Sequence, residues 1–222
     1  MKKLTLIALV LTGCIGEDVV SDEVSAEVRI TNPLSNLEVN DSFQFEYMFL
    51  DNVGSEAMPE QITWSTADAD VAIINQEGLV TGISTGQAEI TLTAILDNLL
   101  ADITIMFSVS NSPTMQFDGS RSGTVNTTTS YDLMGDFTLT QQDDDLLLAF
   151  DANYIADDGL PGLYVYLTNN PNTPTDGYEI GPVSVFSGAH EYMIEDAGLF
   201  DYDYVFYYCK PFRVKVGHGE ID

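Results

Sequence analysis

Basic side chains are scarce in this chain: 7 Lys and Arg stand against 35 Asp and Glu in 222 residues. A phosphate backbone needs a basic surface, so this balance excludes nucleic acid as a partner. It equally opposes docking of the folded part on an anionic membrane surface. Cysteine is scarcer still, with only Cys14 and Cys209, 2 in all. No Cys-x-x-Cys-His string exists, which excludes that route of covalent haem attachment. Tryptophan occurs once, at Trp64. The first half of the chain lacks any stretch of sustained helical periodicity, which leaves strands as its building blocks.

What is present is a globular composition. Hydrophobic residues make up 45%, enough for each half of a chain this long to bury a core. Strong acidity keeps a displayed domain soluble and reads first as a solvated surface. At the start, Met1-Lys2-Lys3 is a short basic segment and Leu4 to Leu11 is largely apolar. That run is too short to span a membrane as a mature helix, and its layout is that of a secretory signal. Leu11-Thr12-Gly13-Cys14 follows and resembles the bacterial lipobox. The resemblance implies a signal peptide over residues 1–13, cleavage before Cys14 and acylation of Cys14, giving a durable membrane anchor. Ile15 after the cysteine resembles outer-membrane sorting, so the expected location is the cell envelope, anchored by lipid to the outer membrane. Residues 14–23, with Glu17-Asp18 and Asp22-Glu23, form an acidic tether. Cleavage would remove Lys2 and Lys3 from the seven basic residues and leave five.

Residues 24–110 alternate short strand-like runs with turn clusters: Ala26–Ile30, Phe43–Leu50, Ile62–Ser65, Val71–Ile74, Leu79–Ile83, Ala88–Ala94 and Ile103–Val109. Short strands at this spacing predict a β-sandwich. The order Ile62-Thr-Trp-Ser65, Asp70-Val-Ala-Ile-Ile74, Gly78-Leu-Val-Thr-Gly82 and Gly86-Gln-Ala-Glu-Ile-Thr91 resembles the group 2 bacterial Ig-like domain (BIG2). That family implies an Ig-like sandwich of the kind met in adhesins and surface spacers, with Trp64 as a core anchor. Gly82-Ile-Ser-Thr-Gly86 matches the nucleophile elbow of hydrolases as a string, but a strand rather than a helix follows it, so it reads as a turn. No hydrolase or transferase signature remains.

Beyond a short polar joint at Ser110–Pro113, residues 113–222 are again strand-rich, and two consecutive sandwiches make the expected fold class all-β. The runs are Gly123–Asn126, Asp136–Leu139, Leu146–Phe150, Leu163–Leu167, Tyr178–Ile180, Tyr192–Ile194 and the stretch Tyr202–Gly217. In that last stretch Tyr204 to Cys209 reads as a strand buried on both faces. After it Phe212, Val214 and Val216 fall on one side, with Arg213 and Lys215 on the other. Pro211, without an amide donor, predicts a bulge or an edge position, and the face that Cys209 occupies depends on how the chain bends there. Phe117-Asp-Gly119, Ser122-Gly-Thr-Val125, Gly162-Leu-Tyr-Val-Tyr-Leu167, Ile180-Gly181, Ser187-Gly188, Tyr192 and Tyr207-Tyr-Cys-Lys-Pro-Phe-Arg-Val-Lys-Val-Gly217 resemble, in order, the DM13 domain. The resemblance implies redox or electron transfer through a single cysteine, as a bare thiol or a prosthetic-group ligand. Gly217-His218-Gly219 departs from the usual ending.

Cys209 is thus the candidate redox thiol. Lys210, Arg213 and Lys215, three of the five basic residues left after cleavage, are candidates to stabilise its thiolate, because positive charge favours the nucleophilic form. The competing reading makes Cys209 a buried small hydrophobe. His218 is a candidate second ligand should Cys209 hold haem or copper, and His190 is the other histidine. Asp143-Asp-Asp145 and Asp157-Asp158 are acidic clusters compatible with Ca²⁺ but read as turns. Two function classes follow: redox or electron transfer at Cys209 with a redox partner, or a non-catalytic adhesion or interaction module that binds a surface protein while Cys209 only packs.

Overall fold

The computed structural model describes residues 22–117 and 119–222, and every described element longer than a turn is a strand. Strands of the first half are β1 (Glu27–Ile30), β2 (Leu34–Glu38), β3 (Ser42–Gln44), β4 (Tyr47–Leu50), β5 (Gln61–Thr66), β6 (Ala72–Ile74), β7 (Leu79–Gly82), β8 (Gly86–Leu96) and β9 (Leu99–Ser110). A five-stranded sheet runs β10-β2-β9-β8-β5, where β10 (Met115–Gln116) is the last strand before the second half. Opposite it lie a pair, β1-β4, and a three-stranded sheet, β3-β7-β6. In β8, Ala88, Ile90, Leu92 and Ala94 are buried while the residues between them are exposed or half-buried, the period of two expected of a sheet with one wet face.

The run Phe43–Leu50, expected as one strand, is two. β3 pairs with β7 and β4 with β1, and the chain changes sheets at Phe45 and Glu46, which bond to Gly78 and Thr31. Trp64 packs as expected. It is 3% exposed, and its ring stacks on Phe45 at 5.9 Å. Gly78 sits against that ring at φ +84°, where a Cβ would lie 3.1 Å from the indole, so both the backbone and the space ask for glycine.

The second half contributes β11 (Ser120–Thr127), β12 (Leu133–Gln142), β13 (Asp145–Phe150), β14 (Ile155–Ala156), β15 (Leu163–Thr168), β16 (Tyr178–Pro182), β17 (His190–Ile194), β18 (Tyr204–Cys209) and β19 (Val214–Glu220). All nine belong to one antiparallel sheet, ordered β16-β15-β18-β19-β11-β12-β13-β17, with β14 on β12. The two layers are halves of this one sheet turned onto itself. Phe150 of β13 meets Tyr207 of β18 at 6.4 Å across the core, and Tyr154 meets both rings. The turnover falls where β19 meets β11, and glycine makes it possible. A Cβ on Gly217 would stand 2.2 Å from the Asn126 carbonyl oxygen, and one on Gly123 2.0 Å from that of Glu220. Glycine in a strand interior marks such a close approach of backbones.

Arg29 ties the two halves together, and Arg121, within the second half, braces the same aspartate. Arg29 of β1 is 5% exposed. It donates to Asp203, to Asn169 Oδ1 at 3.3 Å and to the Phe200 carbonyl at 3.0 Å, all in the second half, and to Glu27 at 3.0 Å. Arg121 approaches the other Asp203 oxygen at 3.9 Å and donates to the Leu199, Tyr202 and Ile221 carbonyls. Asn170 Nδ2 reaches the Val53 carbonyl at 2.8 Å, and Ser55 bonds Asp176 at 2.5 Å. β10 keeps the chain on the first sheet through Gln116, beyond the polar joint read at Ser110–Pro113.

Candidate functional site

The hairpin β18–β19 carries every described candidate, and its connection decides where each one points. Cys209 caps a single 3₁₀ turn, Lys210–Phe212, with Pro211 in its first positions and Arg213 closing it at φ +54°. Proline's fixed φ suits a turn start, so Pro211 makes the connection rather than a bulge within a strand. Phe212 consequently leaves the apolar side expected for it and is 66% exposed. A bulge does exist, one step later: Tyr208 pairs with Lys215 but Tyr207 with Gly217, leaving Val216 extra. This sends Val214 and Val216 to the core and Lys215 to the outer face.

Cys209 faces inward. It is 1% exposed within the core that also holds Val205, Tyr207, Leu163 and Val216. Its Sγ lies 3.7 Å from the Pro161 carbonyl oxygen, to which the thiol donates. The three neighbouring cations do not surround it. Lys210 Nζ pairs with Glu179 at 2.6 Å and lies over the Tyr164 ring at 4.2 Å. That bond raises the Lys210 ammonium above its ordinary value and lowers the Glu179 carboxyl. Tyr166, which donates to the same carboxylate at 2.9 Å, is pushed up to about 12, by burial first and then by Glu179. Lys215 lies over the Phe206 ring on the outer face, and burial lowers its ammonium. His218 pairs in register with Phe206 and packs against Tyr204 at 5.6 Å, again on the outer face. Burial, then the Lys215 charge, lowers its imidazole. Lys210, Lys215 and His218, expected around the sulfur as thiolate-stabilising cations and a second haem or copper ligand, therefore lie against the opposite face of the sheet from Cys209. Cys14 lies outside the described residues.

What Arg213 and Lys215 do form is one side of a cleft of about 490 Å³ beside the hairpin, lined also by Tyr208 and Val214, Thr128 and Thr129, Asn172 and Thr173, and Asp22. Among the described residues Arg213 and Lys215 make no ion pair. Two cations without an ion pair, lining one cleft with an aromatic ring, stand out on a chain of net charge −28. Their clustering is visible in the sequence, but nothing there signals the threonine loop that completes the cleft.

A second cluster lies in the core. His190 is hydrogen-bonded through Nδ1 to the Gly188 carbonyl at 2.9 Å, and its ring packs against Tyr154 at 4.5 Å and Tyr192 at 5.3 Å. His190 Nε2 and the hydroxyls of Tyr154, Tyr192 and Tyr207 are buried without a hydrogen-bond partner. Among the described residues no group of three or more His, Cys, Asp or Glu is arranged to hold a metal, and Asp143 is a turn residue at φ +55°.

Comparison with known families finds residues 26–95 similar to the bacterial Ig-like domain (group 2), a segment that ends within β8. No curated protein matches the chain.

Proposed function

We propose that the chain is a non-catalytic surface interaction module: an Ig-like sandwich supports a second sandwich that presents the hairpin's outer face to a partner. The observation that carries this reading is the division of labour across β18–β19. The thiol is packed with the core, while Arg213 and Lys215 stand unpaired around a cleft. Thiol chemistry needs a sulfur that reagents can reach, whereas recognition needs a concave surface with a few convergent polar groups. The Ig-like match over 26–95 supports a surface or interaction role for the first half.

In this reading the resemblance of the second half to DM13 concerns its framework, with Cys209 part of the packing. Voltammetry of the full chain and of Cys209→Ala tests it. The expected result is identical traces with no Cys209-dependent wave; a wave lost in the variant would return the function to redox chemistry. We further propose that Cys14 carries the lipid that places the module on the outer membrane. Cys14→Ala should move the protein from the membrane to the soluble fraction, and mass spectrometry of the native amino-terminal peptide should show acyl chains.

A further inference from the structure

We propose that the cleft between the hairpin and the two threonine-bearing loops binds an acidic saccharide, a uronic-acid oligomer whose carboxylate pairs with Arg213 and Lys215 and whose ring packs on Tyr208. This rests on the interaction-module reading and names the ligand class of the same face.

The acid half follows from the cations. A guanidinium meets a carboxylate with two parallel hydrogen bonds, which an ammonium beside it supplements as a point charge. Arg213 is held at the closing position of the turn, its backbone N–H bonded to the Lys210 carbonyl at 3.3 Å. Lys215 is positioned by the Phe206 ring at 5.8 Å. Lys210, the third cation, is occupied by Glu179. Asp22 also lines the cleft, and its charge favours a ligand that places a single anionic group there over one that places several.

The saccharide half follows from the rest of the lining. Tyr208 offers an aromatic ring with a polar tip, a surface suited to the apolar face of a sugar. The Thr128 and Thr129 hydroxyls lie 3.4 Å from the Val216 carbonyl, which the Thr128 N–H and the Thr127 hydroxyl also approach, and Thr129 already accepts from the Tyr131 N–H. With more donors than that carbonyl has lone pairs, the Thr128 hydroxyl is left able to bond a sugar hydroxyl. The cleft volume of about 490 Å³ falls in the usual range for small-ligand sites, roughly 300–1,000 Å³. A bare phosphate would use the cations and leave the tyrosine and threonines without a role.

The test is isothermal titration of the full chain with tetrasaccharides of galacturonate, mannuronate and glucuronate, with their methyl esters, and with pyrophosphate. Saturable binding of at least one uronate is expected, with its ester weaker by about ten-fold or more, since a charge-assisted bond is lost. Arg213→Gly should weaken it comparably. Glycine is the substitution of choice because residue 213 has φ +54°, a backbone that glycine adopts without strain, and an unchanged melting temperature checks that the fold is kept. Lys215→Gln gives a second, independent variant. Three results would each overturn the proposal: no uronate binds, the ester binds as well as the acid, or pyrophosphate binds as well as the uronate. Alkylation of Cys209 in the same samples separates the two levels. A protected thiol with no uronate binding removes the ligand class alone, whereas a thiol labelled in the native protein removes the interaction-module reading beneath it.

Discussion

Cys209 and Lys215, six positions apart, end on opposite faces of one sheet. Their separation is the work of the 3₁₀ turn and the bulge after it, and neither feature has a strong sequence signal beyond Pro211. The sequence therefore showed an unusual thiol beside unusual charge but not that a sheet divides them. Because Cys209 fills core volume, Cys209→Ala should destabilise the protein by about 1–2 kcal/mol, the scale of a small cavity, as read by chemical denaturation. Tyr207 invites the opposite expectation. Its hydroxyl is fully buried beside the Tyr154 hydroxyl with no partner in good hydrogen-bond geometry, and burial, then Tyr154, raises it well above the ordinary tyrosine value. Removing a buried hydroxyl that makes no well-formed bond relieves its desolvation, so Tyr207→Phe should be neutral or stabilising. A loss above about 1 kcal/mol would instead mean that the Tyr154–Tyr192–Tyr207–His190 cluster holds water or a ligand.

Among the elements, Ala88–Ala94 is legible because apolar residues alternate along it, and Leu163–Leu167 because it is an unbroken apolar and aromatic run. The short strands are not. β2 reads Leu-Ser-Asn-Leu-Glu and is a strand because β9 and β10 pair with it; β10 and β14 are two residues each. Pairing made these strands, which propensity alone does not reveal. Likewise a two-sandwich reading was right about layers, while the continuity of the second sheet depends on glycines whose role appears only when β11 and β19 meet. Gly123→Ala would place a carbon 2.0 Å from the Glu220 oxygen. We expect a loss of about 3 kcal/mol, the upper end of the usual range for overpacking, measured as a lowered denaturation midpoint. A midpoint equal to wild type would show that the sheet does not turn there.

Across the described residues the basic side chains fall into two sets: Arg29 and Arg121 around Asp203, with Arg29 crossing the joint, and the three on the hairpin. The joint is not legible in the sequence, since an arginine in β1 and an aspartate before β18 are unremarkable until brought together. Arg29→Met should cost about 3 kcal/mol at neutral pH, the lower end for breaking a buried ion pair, and should loosen the two halves in small-angle scattering. Burial pushes the Asp203 carboxyl up to about 6, against the pull of Arg29 and Arg121. The folded chain then holds this proton more tightly than the unfolded chain, so its contribution grows as pH falls from about 6 to about 4 and is lost as pH rises through 6. The melting temperature of wild type minus that of Asp203→Asn should accordingly rise toward pH 4, which thermal melts across that window will check.

The hairpin packs its thiol and presents its charge, and the rate at which a small uncharged reagent alkylates Cys209 as denaturant is raised tests this most directly. We predict negligible labelling in native buffer and a rate that climbs with the full slope of global unfolding, because only unfolding exposes the sulfur. Fast labelling in native buffer, insensitive to denaturant, would contradict it.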